Sequence, residues 1–235
     1  MIHTDREYEQ ELQDLRDQLL LMGARVEQMI FRAMQAFRSG DKDLARGVIQ
    51  EDVKVDQLEK DIDEHCILIL AKRQPVASDL RFLTTALKIV TDLERIGDLA
   101  ANIAERATEF SGDPVMSLRP SLEQMAEAAH GMVTDALKAF MERDALRAEA
   151  VMRRDTTVDE AYAHLFPELM NIMMNNPGSV YSAQRLQSVG KYLERIADHA
   201  TNVAEDVIFY LEALDVRHSR PPSALRALAP PRSGT

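Results

Sequence analysis

A chain of 235 residues that is 46% hydrophobic but only 5% aromatic, with no Trp and a formal net charge of −11, is long enough for one or two domains. The negative balance argues against direct nucleic-acid binding, which relies on a cationic surface, and no apolar run of about 18 residues is present to span a bilayer. The single cysteine, Cys66, excludes an internal disulfide and a zinc site built from several thiolates.

Ala, Leu, Met and Glu set a helical composition. With nine Gly and nine Pro, several of them in the linker and tail, the uninterrupted runs suit helices of roughly 25 to 35 residues. Six are expected, over residues 5–37, 41–73, 77–109, 118–141, 145–174 and 180–214. Ser39-Gly40-Asp41 ends the first helix and caps the second. Gln74-Pro75 stops the second, because a residue before proline is pushed out of helical conformation. Pro167 falls within the fifth helix and predicts a kink. The first helix carries Leu19, Leu20, Leu21, Met22, Met29, Ile30 and Phe31 over a broad arc. That pattern fits either a homodimer or a helix wedged between two bundles. Ser111-Gly112-Asp113-Pro114 divides the chain, and 215–235, rich in Pro, Arg, Ser and Ala, reads as a disordered basic tail.

The two sides of that divide are copies of one unit. LERIGDLAANIAE at 93–105 and LERIADHATNVAE at 193–205 share nine of thirteen positions at an offset of 100. Upstream, 37–59 aligns with 140–162 at an offset of 103, and Gln74-Pro75 matches Asn176-Pro177. Internal repetition on this scale implies stacked copies of one helical unit. The expected fold is therefore all-α: two tandem, pseudo-symmetric three-helix bundles, at 1–110 and 118–214, joined by a linker at 111–117.

The repeated residues that carry chemistry are acidic. Glu94 and Asp98 match Glu194 and Asp198, while Asp52 and Asp56 match Asp155 and Asp159. Each pair is spaced four apart, which sets like charges side by side on a helix and weakens it by a few tenths of a kcal/mol. A bound cation would offset that cost. With Glu94 at zero and about 100° per residue, Ile89, Leu93, Ile96, Ala100, Ile103 and Ala107 occupy an arc of roughly 180 to 260°. On the same wheel Glu94, Glu105, Asp98 and Asn102 fall at about 0, 20, 40 and 80°, and Glu194, Glu205, Asp198 and Asn202 repeat the pattern. The metal sites are thus expected on the bundle surface, almost opposite the core. An ordinary solvated acidic face, with Arg95 and Arg195 making local ion pairs, is the competing reading. Carboxylates and an amide are hard oxygen ligands, favouring Mg²⁺, Ca²⁺, Mn²⁺ or iron over a structural zinc site. The expected cofactor is a divalent or iron ion, with iron, manganese, magnesium and zinc left open.

Buried di-iron bundles need two Glu-x-x-His elements, and only Glu127-Ala-Ala-His130 has that spacing. His65, His164 and His199 lack counterparts in the other repeat. Catalysis by histidine or by Cys66 is not expected.

Two copies of LERI-x-D-x-x-x-N-x-A-E, each preceded by an Asp-x-x-x-Asp pair, together with Gln74-Pro75-Val76-Ala77-Ser78-Asp79-Leu80-Arg81 leading into the third helix, resemble the PhoU family. The resemblance covers about residues 5–214. It implies surface metal clusters at Asp52, Asp56, Glu94 and Asp98 and at Asp155, Asp159, Glu194 and Asp198, with Asn102, Glu105, Asn202 and Glu205 as supports, and no catalytic activity. It further implies a cytoplasmic negative regulator of phosphate uptake and of the phosphate-starvation regulon. Such a protein contacts the ATPase subunit of a phosphate ABC transporter and a sensor histidine kinase, and meets membranes only through them. The Asp79-Leu80-Arg81 element has no clear counterpart in the second half, where Ser182-Ala183-Gln184-Arg185 stands. One half is therefore expected to serve a partner differently from the other, with Arg81 a candidate contact. Two alternatives stay open: a helical scaffold or dimerisation protein without metal dependence, and a metallohydrolase using metal-bound water at a surface site.

Overall fold

The computed structural model describes residues 2–109 and 119–217. The expected linker at 111–117 and residues 218–235 of the expected tail lie outside the described residues. Six helices follow one another: α1 (Ile2–Ser39), α2 (Lys42–Arg73), α3 (Ala77–Glu109), α4 (Arg119–Glu142), α5 (Ala145–Asn175) and α6 (Val180–Glu212), with a 3-10 turn at Pro177–Ser179 leading into the last. The described residues contain no strand, and the all-α class with two tandem three-helix units is what the chain adopts.

The breaks fall where the local chemistry demands them. Gly40 takes φ 68°, a left-handed turn open to a residue without Cβ, and the Asp41 carboxylate accepts the backbone N–H groups of Asp43 and Leu44, both at 3.0 Å. These are donors that the first turn of α2 leaves unpaired. Gln74 closes α2 in the left-handed region at φ 47°, its N–H donating to the Leu70 carbonyl. Asp144 caps α5 by accepting the Arg147 N–H. The α5 helix runs through Pro167 without interruption.

Burial on α3 begins with the expected stripe, since Ile89, Leu93, Ile96, Ala100, Ile103 and Ala107 are all in the core. It then spreads to Gly97, Leu99, Ala101 and Ala104, because α3 packs against α1, α2 and α6 at once. The α6 helix repeats this role against α4, α5 and α3. The two bundles therefore meet along a central α3–α6 seam. Polar contacts along it pair ascending residues of α3 with descending residues of α6. Arg81 Nε donates to the Tyr210 carbonyl at 3.3 Å, Lys88 Nζ to Asp206 Oδ1 at 2.7 Å, and Asp92 meets His199 Nδ1 at 2.8 Å. At the far end Arg185 pairs with Glu109 at 2.5 Å. The helices are antiparallel, and Arg81 and Arg185 do related work at opposite ends of the seam.

A second seam joins α1 to α4, with Arg38 pairing Glu123 at 3.0 Å. The first helix thus touches both bundles, as the wedge reading expects. Leu19, Met22, Met29 and Ile30 are buried, whereas Leu20, Leu21 and Phe31 are 39%, 47% and 64% exposed.

Candidate metal centres

The α2–α3 pairing positions the first group of carboxylates. Val55 and Ile62 face the core, which turns the stripe Asp52, Asp56, Glu59 and Asp63 toward the shoulder where α2 meets α3. One oxygen from each of Asp52, Asp56 and Asp98 lies within 4.8 Å of the others. Gly97 permits the approach: a Cβ there would sit 3.3 Å from Val55 Cγ1 and 3.4 Å from Asp52 Oδ1. In the second bundle Asp159, Glu194 and Asp198 gather within the same 4.8 Å limit.

The geometry refines the helical-wheel expectation of a site opposite the core. The carboxylates lie in the groove between two helices, and the Glu94 side chain is only 14% exposed. Partial burial has an electrostatic consequence. The Asp52 carboxyl is pushed up to about 6 by burial and then by the charges of Asp98, Asp56 and Glu105. Asp198 is pushed up to about 6 by burial and by Glu194, Asp155 and Asp159. Burial, with Asp98 next, also raises Glu94, and burial, with Asp159 next, raises Asp155. Each group is a concentration of negative charge that the neighbouring Arg95 and Lys191 only partly offset.

The two trios are not strict copies, because Asp52 belongs to the first and Glu194 to the second. The local cations differ. Arg95 reaches Glu94 at 3.3 Å and Asp98 at 3.4 Å, the local pairing expected of it, whereas Lys191 holds Glu194 at 2.6 Å. Asp155 stays beside its group, lining a cavity with Asp198, Asn202 and Glu205. The Asn202 amide donates to Asp92 at 3.2 Å, and Asn102 is half-buried one turn beyond Asp98. Glu105 is exposed and pairs with Arg106 at 3.5 Å.

The oxygens present fit a hard cation. Asp52 Oδ1 is shielded from solvent and has no hydrogen-bond donor, and a buried polar atom in that state lacks compensation for its lost hydration. The donor set is wholly carboxylate, suited to Mg²⁺, Ca²⁺, Mn²⁺ or iron. Other candidates lead elsewhere. Glu127 and His130 edge an apolar cleft of about 240 Å³ beside Ile30, Phe31 and Met34. His65 bonds Gln18, and burial pushes the Cys66 thiol up to about 12, leaving it a poor nucleophile. Arg81 is half-buried and engaged by the Tyr210 carbonyl.

Two features escaped the sequence reading. Glu59 and Asp63, both raised by burial, extend the first acidic stripe along α2. Their spacing, Glu59 three residues after Asp56 and Asp63 four after Glu59, carries the signal. The contact from Asp92 to His199 and Asn202 ties the first bundle to the rim of the second carboxylate group, and nothing in the local sequence announces it.

Comparison with known proteins places both halves. A family model described as PhoU domain matches residues 19–107 and 122–207. The phosphate-specific transport system accessory protein PhoU of Edwardsiella tarda is 37% identical over 216 residues, covering 92% of this chain and 89% of that protein. The PhoU homolog of Pseudomonas aeruginosa is 40% identical over 218 residues, covering 92% and 90%. The crystal structure of PhoU from Pseudomonas aeruginosa superposes with a TM-score of 0.82 at 38% identity, covering 88% of this chain and all of that one. The relatives carry the names of transport accessory proteins, not enzymes, and no described helix here is long and apolar enough to cross a membrane. With the family model matching once in each bundle, the chain belongs to the PhoU family.

Proposed function

We propose that this chain is a metal-binding negative regulator of phosphate uptake and of the phosphate-starvation regulon. It works in the cytoplasm by contact with the ATPase subunit of a phosphate ABC transporter and with a sensor histidine kinase. The observation that carries this reading is a carboxylate group in each PhoU repeat, half-buried in the first and more exposed in the second, in a chain whose relatives are named for phosphate-specific transport. Asp52, Asp56, Glu94 and Asp98 would hold metal in the first group, and Asp155, Asp159, Glu194 and Asp198 in the second. A bound cation supplies positive charge that relieves the mutual repulsion of these groups and offers a docking point for a partner's acidic side chains. The protein's own contribution is to fix the carboxylates on rigid helices and to keep α2 against α3, and α5 against α6, at the spacing a cation needs.

The test is alkaline phosphatase activity in phosphate-rich medium, in a strain lacking its own copy of this protein. Complementation with the wild type is expected to repress activity, and the variant with Glu94, Asp98, Glu194 and Asp198 all changed to Ala is expected to leave it high. Repression by both would remove metal from the mechanism. Low activity in the uncomplemented strain would remove the regulatory reading itself.

Self-association belongs to the same proposal. Leu20 and Phe31 are exposed, lie about 20° apart on the helical wheel, and edge neighbouring clefts along the α1–α4 seam, so the partner there is a second copy of the chain. Phe31→Ser is expected to convert a sedimenting dimer to monomer; a wild type that already sediments as a monomer ends this part of the reading.

A further inference from the structure

The outward face of α5 changes character past its carboxylates. Asp159, Ala163, Phe166, Met170 and Met174 fall within an arc of about 80° on the helical wheel, and all five are exposed. Phe166, Met170 and Met174 are 44%, 40% and 70% exposed, and Val180, 45% exposed, opens α6 across the Pro177–Ser179 turn. Apolar side chains gathered on solvent in this way mark an interaction surface. At the repeat offset of 103, Lys60, Asp63 and Ile67 stand where the second half has Ala163, Phe166 and Met170, so the stripe belongs to the second bundle alone. Its surroundings are acidic: residues 155–184 contain Asp155, Asp159, Glu160 and Glu168 and no Lys or Arg. Between Val180 and Glu194, Arg185 is held by Glu109 and Lys191 by Glu194.

We infer that this stripe docks a cationic amphipathic helix of a partner protein. From Phe166 to Met174 it runs about 12 Å along α5, the length over which a partner helix presents apolar residues on successive turns of one face. Methionine suits the task, because its flexible, polarizable side chain conforms to apolar faces of different shape, and an amphipathic helix laid on such a surface is a recurring mode of recognition. Charge selects among the occupants. Lys or Arg flanking the partner's apolar face would meet Asp159, Glu160 and Glu168. A second copy presenting this same face would set acid against acid, and an anionic lipid surface would be repelled. The stripe gives the partner contacts proposed above a place on the second repeat; that the helix belongs to the transport machinery rests on that reading, and the docking itself does not.

The experiment labels the methionine methyls of the full chain with ¹³C and adds, in chelator, a designed peptide of about 18 residues, five helical turns, with Leu on one face and Lys on the other. Its twin carries Glu in place of Lys. The Lys peptide is expected to shift the Met170 and Met174 resonances, and the Glu peptide to leave them in place. Combining Phe166→Ser with Met170→Ser should weaken binding about tenfold or more, as the loss of central apolar anchors does, with Met174 still reporting and Tm little changed. Glu160→Gln with Glu168→Gln, outside the carboxylates assigned to metal, should weaken it several-fold. An equal response to both peptides, shifts confined to Met29 and Met34 of α1, or a serine variant that binds unchanged overturns the proposal. Should Met170 stay silent while the chain still represses alkaline phosphatase, this inference ends and the regulatory reading stands. The partner is then read from p-benzoylphenylalanine placed at Met170 in cells, with the captured segment sequenced. A net-positive amphipathic helix of another protein supports the proposal; a second copy of this chain, an acidic segment, a lipid, or capture no greater than from the same group placed at Ile67 overturns it.

Discussion

Metal-stripped protein is expected to melt higher at pH 5 than at pH 7, and a divalent cation added at pH 7 should reverse that order. The sign follows from carboxyls raised in the folded state. Asp52 and Asp198 rise from the ordinary 3.8 to about 6, so between about pH 4 and 6 the folded chain holds protons that the unfolded chain has released. Stability therefore falls as pH climbs through that window and levels off above it. Solvent screening of these partly exposed groups reduces their joint contribution between pH 7 and 5 to about 1–2 kcal/mol. Glu94, Asp155, Glu59 and Asp63 are raised as well and add in the same direction. Glu11 and Glu51, lowered first by hydrogen bonds from Arg73 and Lys54, oppose it only below the ordinary glutamate range. A cation at a hundred times its Kd adds about 2.7 kcal/mol per site, or roughly 5–10 °C in Tm for a chain of this size. Asp52→Asn is expected to raise Tm in chelator at pH 7 and to weaken the cation's effect. Calorimetry with and without chelator decides the matter: a Tm that climbs from pH 5 to 7 in chelator, with no cation-dependent shift, would remove both the electrostatic and the metal reading.

Much of the fold was written locally. Gly40, Asp41, Gln74 and Pro75 act within a few residues of themselves, so the turns they form can be read without knowing the rest of the molecule. The stripe from Ile89 to Ala107 was equally legible, because a helix with one dry face records it at 3.6-residue spacing. What the wheel missed is the burial on both flanks of that stripe, by Gly97, Ala101 and Ala104 on one side and Leu99 on the other. Three of those four are small residues, whose burial depends on the close approach of other helices more than on their own hydrophobicity. The carboxylate groups were visible because they occur twice. The same reliance on repetition concealed Glu59 and Asp63, whose aligned partners in the second half are Tyr162 and Phe166. Glu194, which joins its trio, pairs with Lys191, whereas Glu94, which stands beside Asp52, Asp56 and Asp98, pairs with Arg95. The contact between Asp92 and His199 joins residues 107 positions apart; it exists only because the bundles pack through α3 and α6.

That seam is where a single truncation is expected to cost most. Phe82→Ala should lower unfolding free energy by about 3–5 kcal/mol, the range for emptying a buried phenylalanine site, out of a total on the order of 5–15 kcal/mol. Phe82 belongs to α3 yet stacks on Phe140 of α4 at 5.9 Å and meets Tyr210 of α6 at 5.8 Å, with the Arg16 guanidinium over its ring at 4.7 Å. Phe140 and Tyr210 close the cluster at 6.0 Å. One ring of the first bundle is thus fixed by two of the second, and each well-placed aromatic pair contributes about 0.5–1.5 kcal/mol beyond its buried area. Alanine there removes contacts that hold one bundle to the other, in addition to emptying volume within the first. Urea unfolding should show the midpoint falling sharply, whereas Phe166→Ala, at a side chain 44% exposed, should cost about 1 kcal/mol or less. Should Phe82→Ala prove as mild as Phe166→Ala, the aromatic cluster is not what joins the bundles, and the polar contacts from Lys88 to Asp206 and from Asp92 to His199 must carry the seam instead.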